Sequence, residues 1–308
     1  MSLHVFANIA TAFGTAANNR GETEGNMTTL QKLLWYGETH TTVSAEAIRF
    51  ALRRLLADAE DAGTNRNWEE TERRNKWKDA AFKGWASDKS KTFIDDDLLG
   101  FMSAEAAKVE GESGTANVRR AVLEITRAIS LTPWAGDTSF NAASPGATAS
   151  AQKGKGSNPV PYGTELHATR YQFGMAMTPE RLRDTTRTTK AITAICQLGT
   201  VAGNHGRFLY DFSPESVVFR ITDDPAPRLL YCFETKDNGR TVDADVLLKR
   251  VDQGDIDAAE LILGGGIAER QSGESLKKKG AYIPEKKGIK AAGAEAVRRI
   301  NLKLGLEG

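Results

Sequence analysis

Cysteine is scarce: the 308 residues hold 2, Cys196 and Cys232. Two are too few for a disulfide framework or a four-cysteine zinc site, so they read as buried thiols in a reducing compartment. Histidine numbers 4, and none of His4, His40, His167 and His205 falls in an HExxH-type pair. No metal and no other cofactor is expected. No stretch approaches 18 apolar residues, which argues against a membrane span and a membrane partner. The opening MSLHVFANIATAFG lacks the basic start and long apolar run of a secretory signal, and a cytoplasmic protein is expected. An excess of either charge is also missing. Lys plus Arg is 41, Asp plus Glu is 40, and the net charge is +1, which excludes a uniformly polycationic surface but not a local basic groove. GxSxG and GxxxxGK[ST] are absent as motifs.

What is present is an interleaving of strand and helix patterns. Leu3, Val5, Ala7 and Ile9 alternate with His4, Phe6 and Asn8, which predicts an opening strand. VSAEAIRFALRRLLADAEDAG predicts the clearest helix, with Ser44 as cap and an apolar stripe of Ile48, Leu52, Leu55 and Leu56. Arg49 and Arg53 lie one turn apart off that stripe. Residues 64–115 change character. They carry Trp68, Trp77 and Trp85 amid many charges, and they read as an inserted, mostly helical lobe. Residues 116–129 fit helix or strand. Residues 134–163 are rich in Gly, Ser, Ala and Pro, and predict a mobile loop longer than ordinary connections. Leu166–Met177 alternates as a strand, and Thr178-Pro179 starts a helical stretch. ESVVFRITDD and PRLLYCFETKD predict two further strands, and residues 291–304 a last amphipathic helix. Paired βα units are too few for a doubly wound sheet, so an α+β, ferredoxin-like core carrying lobes fits better.

Several features invite chemistry. Asp95, Asp96 and Asp97 offer carboxylates for magnesium or a general base, but adjacent residues point in different directions and the run reads more readily as a solvated turn. His205 in GNHGR offers a base near neutrality or a plain turn residue. Leu263-Gly264-Gly265-Gly266 lets backbone amides approach a phosphate, or simply permits tight packing. The near-zero net charge is a sum of patches: residues 269–303 hold 10 basic and 4 acidic side chains, and residues 237–260 hold 3 and 7. Basic patches on one groove would bind phosphates with salt-dependent affinity. Lys277, Lys278 and Lys279 read as a flexible loop.

VSAEAIRFALR at 43–53, ISLTPWAGDTSFN at 129–141, GNHGR and then LYDFSPESVVFRI at 209–221, followed by LGGG, occur in an order that resembles the Cas7 family. That family supplies the backbone subunit of type I CRISPR effector complexes, and the likeness is to its type I-B and I-A branch, the DevR or Cst2 group. The resemblance implies a hand-shaped α+β fold, with an RRM-like (ferredoxin-like) palm, an inserted helical fingers lobe and a thumb hairpin or loop. Along this chain the palm would take 1–60 and 166–308, the fingers 61–115, a connection 116–133 and the thumb 134–165.

It further implies a non-catalytic, RNA-binding protein. Copies polymerise along guide crRNA, hold its phosphates and present bases for pairing with target DNA. Carried over by position, Asn18, Asn19 and Arg20 follow the first palm strand. Ser44, Arg49 and Arg53 face the guide backbone, where an arginine fork suits phosphate. Thr138 and Phe140 fall in the thumb, Asn204, His205 and Arg207 in another family stretch, and Gly264, Gly265 and Gly266 in the glycine loop near RNA. The implied partners are guide crRNA, target DNA, further copies of the chain, and Cas5, Cas6 and Cas8-type subunits, with a nuclease-helicase or a transposition machinery as effector. Two other readings stand beside this one: a metal-dependent ribonuclease of the related type III kind using Asp95–Asp97, and a generic oligomeric single-strand binder.

Overall fold

The computed structural model describes residues 2–17, 23–86, 92–105, 115–144, 160–201 and 210–306. Its centre is an antiparallel sheet of seven main strands: β1 (His4–Thr11), β2 (Lys32–Trp35), β3 (Glu38–Val43), β4 (Ala128–Ser130), β5 (Tyr171–Met177), β6 (Pro214–Thr222) and β7 (Leu261–Gly265). The order across the sheet is β7-β6-β1-β5-β4-β3-β2, and Glu124–Ile125 adds a short pairing on β5. Both β5 and β6 run antiparallel to β1, so they are parallel to each other while flanking it. Such a pair needs a crossover, and helix α3 (Arg187–Cys196) supplies it. Strand β4 lies beyond β5 and parallel to β1, and helix α1 (Ala45–Leu56) lies between them in sequence.

The period-two pattern of β1 sends its side chains to two different cores. Val5, Ala7 and Ile9 pack under Ile48 and Leu52 of α1, Ile94 and Leu98 of α2 (Ile94–Leu99), Ala191 and Ile195 of α3, and Ala292, Ala296 and Ile300 of α4 (Ile289–Leu304). Phe6 and Ala10 face the other way, onto Leu229, Phe233, Leu247, Leu263 and Leu276. Both faces of the sheet are therefore covered. The expected second strand at PRLLYCFETKD shrinks to Glu234–Lys236. Side chains replace its ladder: Tyr231 N donates to Asn8 Oδ1 at 3.0 Å, Phe233 N to Gln172 Oε1 at 3.2 Å, and Gln172 Nε2 to the Phe233 carbonyl at 3.1 Å. Two amide side chains from β1 and β5 thus satisfy a backbone that the sheet edge does not reach.

Three other expectations are corrected. The described residues of 64–115 are not mostly helical. Beside two short helices they carry a hairpin, Arg66–Glu69 with Arg74–Trp77, and a strand pair, Phe101–Glu105 with Thr115–Arg119. Leu166–Met177 is not one strand but the end of Val160–Thr169 and then β5, broken at Arg170. The guanidinium of Arg170 turns inward there, to the carbonyls of Thr11, Gly239 and Arg240. Lys277 and Lys278 close the helix Gln271–Lys278, and Lys279 caps it. Leu276 is buried and fixes that helix to the second core. Among the described residues no helix is long and apolar enough to cross a membrane.

Candidate nucleic-acid interface

Helix α1 is set by its first turn and its stripe. The Ser44 hydroxyl accepts from Ala47 N at 3.2 Å, as expected of an N-cap, while Ile48, Leu52 and Leu56 are buried. Arg49 and Arg53 leave the stripe and line a groove of about 670 Å³, with Arg66 and Trp77 from the hairpin, Arg119 and Arg120 from the second strand pair, and the carboxylates Glu46, Asp95, Asp96 and Glu124. Arg49 donates to the Leu99 carbonyl, and Arg53 Nε to Asp95 Oδ2 at 3.2 Å. Arg53 therefore ties α1 to α2 and is not paired with Glu46 or Asp58. Burial, then the charge of Arg53, lowers the pKa of Arg49. Burial lowers that of Arg66 as well, followed by repulsion from Arg53. The groove thus gathers like charges at a cost. A further basic surface adjoins it: Arg119 and Arg183 stack on the Trp85 ring at 4.3 and 4.1 Å, in a cleft that Arg120 and Arg181 also line.

The aspartate run is no solvated turn. Asp95, Asp96 and Asp97 are 1%, 2% and 0% exposed. Asp95 accepts from Arg53, from Asn65 N at 2.7 Å and from Arg66 N at 3.1 Å. Asp97 accepts from Arg119 Nη2 at 2.5 Å, Arg187 Nη1 at 3.0 Å, and the backbone of Arg183 and Asp184 at 3.1 and 3.2 Å. Asp96 has no guanidinium; its Oδ2 takes Asn65 Nδ2 at 2.9 Å. Burial, reinforced by the Asp95 charge, pushes the Asp96 carboxyl up to about 7. Among the described residues no group of three or more His, Cys, Asp or Glu is arranged to hold a metal ion.

Thr138 and Phe140 stand on a hairpin formed by Thr138–Ala143 and the first half of Val160–Thr169. The second half of Val160–Thr169 pairs with Gly14–Ala17, so the arm continues from β1 and β5. Lys32 Nζ to Glu165 at 2.6 Å and Trp134 Nε1 to the Leu166 carbonyl at 2.8 Å brace its root. Phe140, the third residue of Thr138–Ala143, is 82% exposed. The glycine run sits at the end of β7, on the far side of the sheet order from β4. Gly264 abuts Ala292 Cβ of α4, where an added Cβ would come within 2.5 Å. Gly265 has φ +76° and an added Cβ would run into the Glu215 carbonyl, so close packing accounts for both. Asn18, Asn19, Arg20, Asn204, His205 and Arg207 lie outside the described residues.

A family described as CRISPR-associated negative auto-regulator DevR/Csa2 matches residues 9–197. A protein of Myxococcus xanthus (strain DK1622), CRISPR-associated protein Cas7/Cst2/DevR, is 60% identical over 305 residues, covering 98% of this chain and 99% of its own. The chain belongs to the Cas7/Cst2/DevR family. Its fold is also that of chains in two solved CRISPR RNA-guided surveillance complexes. One, in a pre-nicking state, has TM-score 0.53 and 13% identity over 95% of this chain and 100% of its own. The other has 0.51 and 14%, over 95% and 99%. In this Cas7-family chain, α1 brings Arg49 and Arg53 together in the groove while Ser44 caps its start outside it, and Phe140 and the glycine run stand on other elements. Sequence reasoning did not single out Arg66, Arg119 and Arg120. The basic run from Arg66 to Lys91 and the Arg119-Arg120 pair were the available signals, but nothing in either places it against α1.

Proposed function

We propose that the chain is the backbone subunit of a type I CRISPR effector complex. It binds the phosphates of guide crRNA, adds further copies along that RNA, and leaves bases free to pair with target DNA. The observation that carries this reading is the arginine groove lying against α1 in a chain of this family. Several guanidiniums with crowded positive charge suit a polyanion, and phosphate contacts position a strand without selecting its sequence. The crossovers support an RRM-like palm: β6-β1-β5-β4, with α1 and α3 as crossover helices, has the connectivity of two split β-α-β units. On that palm residues 61–115 serve as the fingers and 134–165 as the thumb. The partners are guide crRNA, target DNA, other copies, and Cas5, Cas6 and Cas8-type subunits in the cytoplasm. The subunit does not cut. The three aspartates are buried and held by arginine and amide groups, which favours a structural role over a ribonuclease centre.

Sequencing the nucleic acid that co-purifies with the protein tests this directly. Discrete short RNAs sharing a repeat-derived 5′ end are expected, and random fragments or none would refute guide binding. The same preparation, given complementary RNA and magnesium, should leave that RNA intact.

A further inference from the structure

We infer that Arg66, reaching from the hairpin, completes with Arg49 and Arg53 a socket for one phosphodiester, so that a bound strand clips the hairpin onto α1. The inference rests on the strand-binding reading and adds a residue and a coupling to it. Two of the groove's cations, Arg49 and Arg66, form no ion pair among the described residues. Arg53 has Asp95, Arg119 has Asp97, and Arg120 has Glu124 at 2.8 Å. Arg49 is held by the Leu99 carbonyl, with Glu46 offsetting its charge. The Arg66 guanidinium has no carboxylate within ion-pair distance among the described residues, and its Nε is buried without a hydrogen-bond partner. Asp95 offsets part of the Arg66 charge, but its hydrogen bonds come from Arg53, from Asn65 N and from the Arg66 backbone, not from the Arg66 side chain. The Trp77 ring lies 5.5 Å from Arg66 Cζ.

A partly desolvated guanidinium without an ion pair, beside two others, is costly in a resting protein, and burial leaves its Nε–H without an acceptor. A phosphodiester supplies what is missing. It is a single negative charge with acceptor oxygens, small enough for a groove of about 670 Å³, and it meets arginine in a forked geometry. Asp96, one of the carboxyls lining the groove, has its pKa raised by burial, so the groove carries less negative charge near neutrality than its composition suggests. Arg66 and Trp77 pair across the same hairpin, while Arg49 and Arg53 belong to α1. One phosphate bridging them therefore adds a charged link between two elements already joined through Asp95 and the Phe50–Trp68 ring contact.

The test compares the parent protein with Arg66→Gln and Arg66→Lys, using a 20-nucleotide oligouridylate and, separately, inorganic tripolyphosphate. For the parent, affinity falls with salt. Arg66→Gln should bind the oligonucleotide about tenfold more weakly, and the slope of log affinity against log salt should shrink by about 0.7, the single-strand value for one lost phosphate contact. Arg66→Lys should keep the slope and recover part of the affinity. Hydrogen exchange of the amides in 66–77 should slow when the parent binds and not when Arg66→Gln does. Unchanged affinity and slope in Arg66→Gln would overturn the socket. If the parent fails to bind the oligonucleotide, the strand-binding reading falls. Tripolyphosphate then decides the socket alone: it should raise the melting temperature of the parent but not of Arg66→Gln, and equal shifts in both would overturn it.

Discussion

Replacing Asp97 by Asn keeps the side chain's shape and removes its charge, which makes it a sharp test of what the aspartate run does. The carboxylate is fully buried and gathers Arg119, Arg187 and the backbone of Arg183 and Asp184. It thereby joins α2 to the end of the strand pair and to the segment that enters α3. In the Asn variant one oxygen becomes a donor facing other donors, and Arg119 loses its carboxylate. Arg187 keeps Glu60 at 2.9 Å and Thr92 Oγ1 at 2.9 Å, so the loss is partial. Breaking one partner of a buried pair costs about 3–5 kcal/mol; the retained Glu60 contact puts this case near the lower figure. Unfolding entropy of about 2.1 cal/mol/K per residue implies a fall in melting temperature of roughly 5 °C for a chain of this length. Scanning calorimetry of the two proteins at pH 7.5 reads it. A fall of less than about 1 °C would show that Asp97 does not fasten these elements, and would reopen the run to a catalytic reading.

Other substitutions separate packing from binding. Gly265→Ala should lower the melting temperature sharply or abolish folding, because the residue sits at φ +76° against the Glu215 carbonyl, whereas Gly266→Ala, with Ser216 Oγ 3.2 Å from the new Cβ, should cost little; calorimetry that ranks them equally would contradict this. Phe140→Ser should leave thermal stability unchanged, since the ring is exposed, yet reduce the number of copies that assemble per RNA in native mass measurements; unaltered assembly would remove Phe140 from the interface. Burial, with the nearby His40 charge, lowers the His167 pKa to about 4 from an ordinary value of 6.5, so His167 contributes stability that is complete above pH 6.5 and lost as pH falls towards 4. Asp96 acts oppositely: its folded pKa of about 7 lies above its unfolded value, so acidification through that range favours the fold. Asp96→Asn should therefore lose more melting temperature than the parent between pH 7 and pH 5, and an equal or smaller loss would refute the assignment.

The features that were legible in the sequence are those set by local pattern. Ser44, Ile48, Leu52 and Leu56 announce α1 because a cap and a 3.6-residue stripe need no distant partner. The alternation of β1 likewise shows that its residues divide between two faces. What it does not show is that the second face is covered too, since that depends on Asn8 and Gln172 meeting Tyr231 and Phe233 from far along the chain. The aspartates escaped the local reading for the same reason: three adjacent carboxylates look solvated until Arg53, Arg119 and Arg187 arrive from three other elements. Long-range charge pairing also explains why the net charge of +1 said so little about binding. Most arginines of the groove are neutralised by carboxylates that the fold brings to them, so a count of basic residues overstates the attraction for phosphate. The informative quantity is the remainder after pairing, and among the described residues of this groove the remainder is Arg49 and Arg66. A strand held there would gain affinity from few contacts, each of them strongly sensitive to salt. Its position would be fixed by the junction of α1 and the hairpin and not by the identity of its bases.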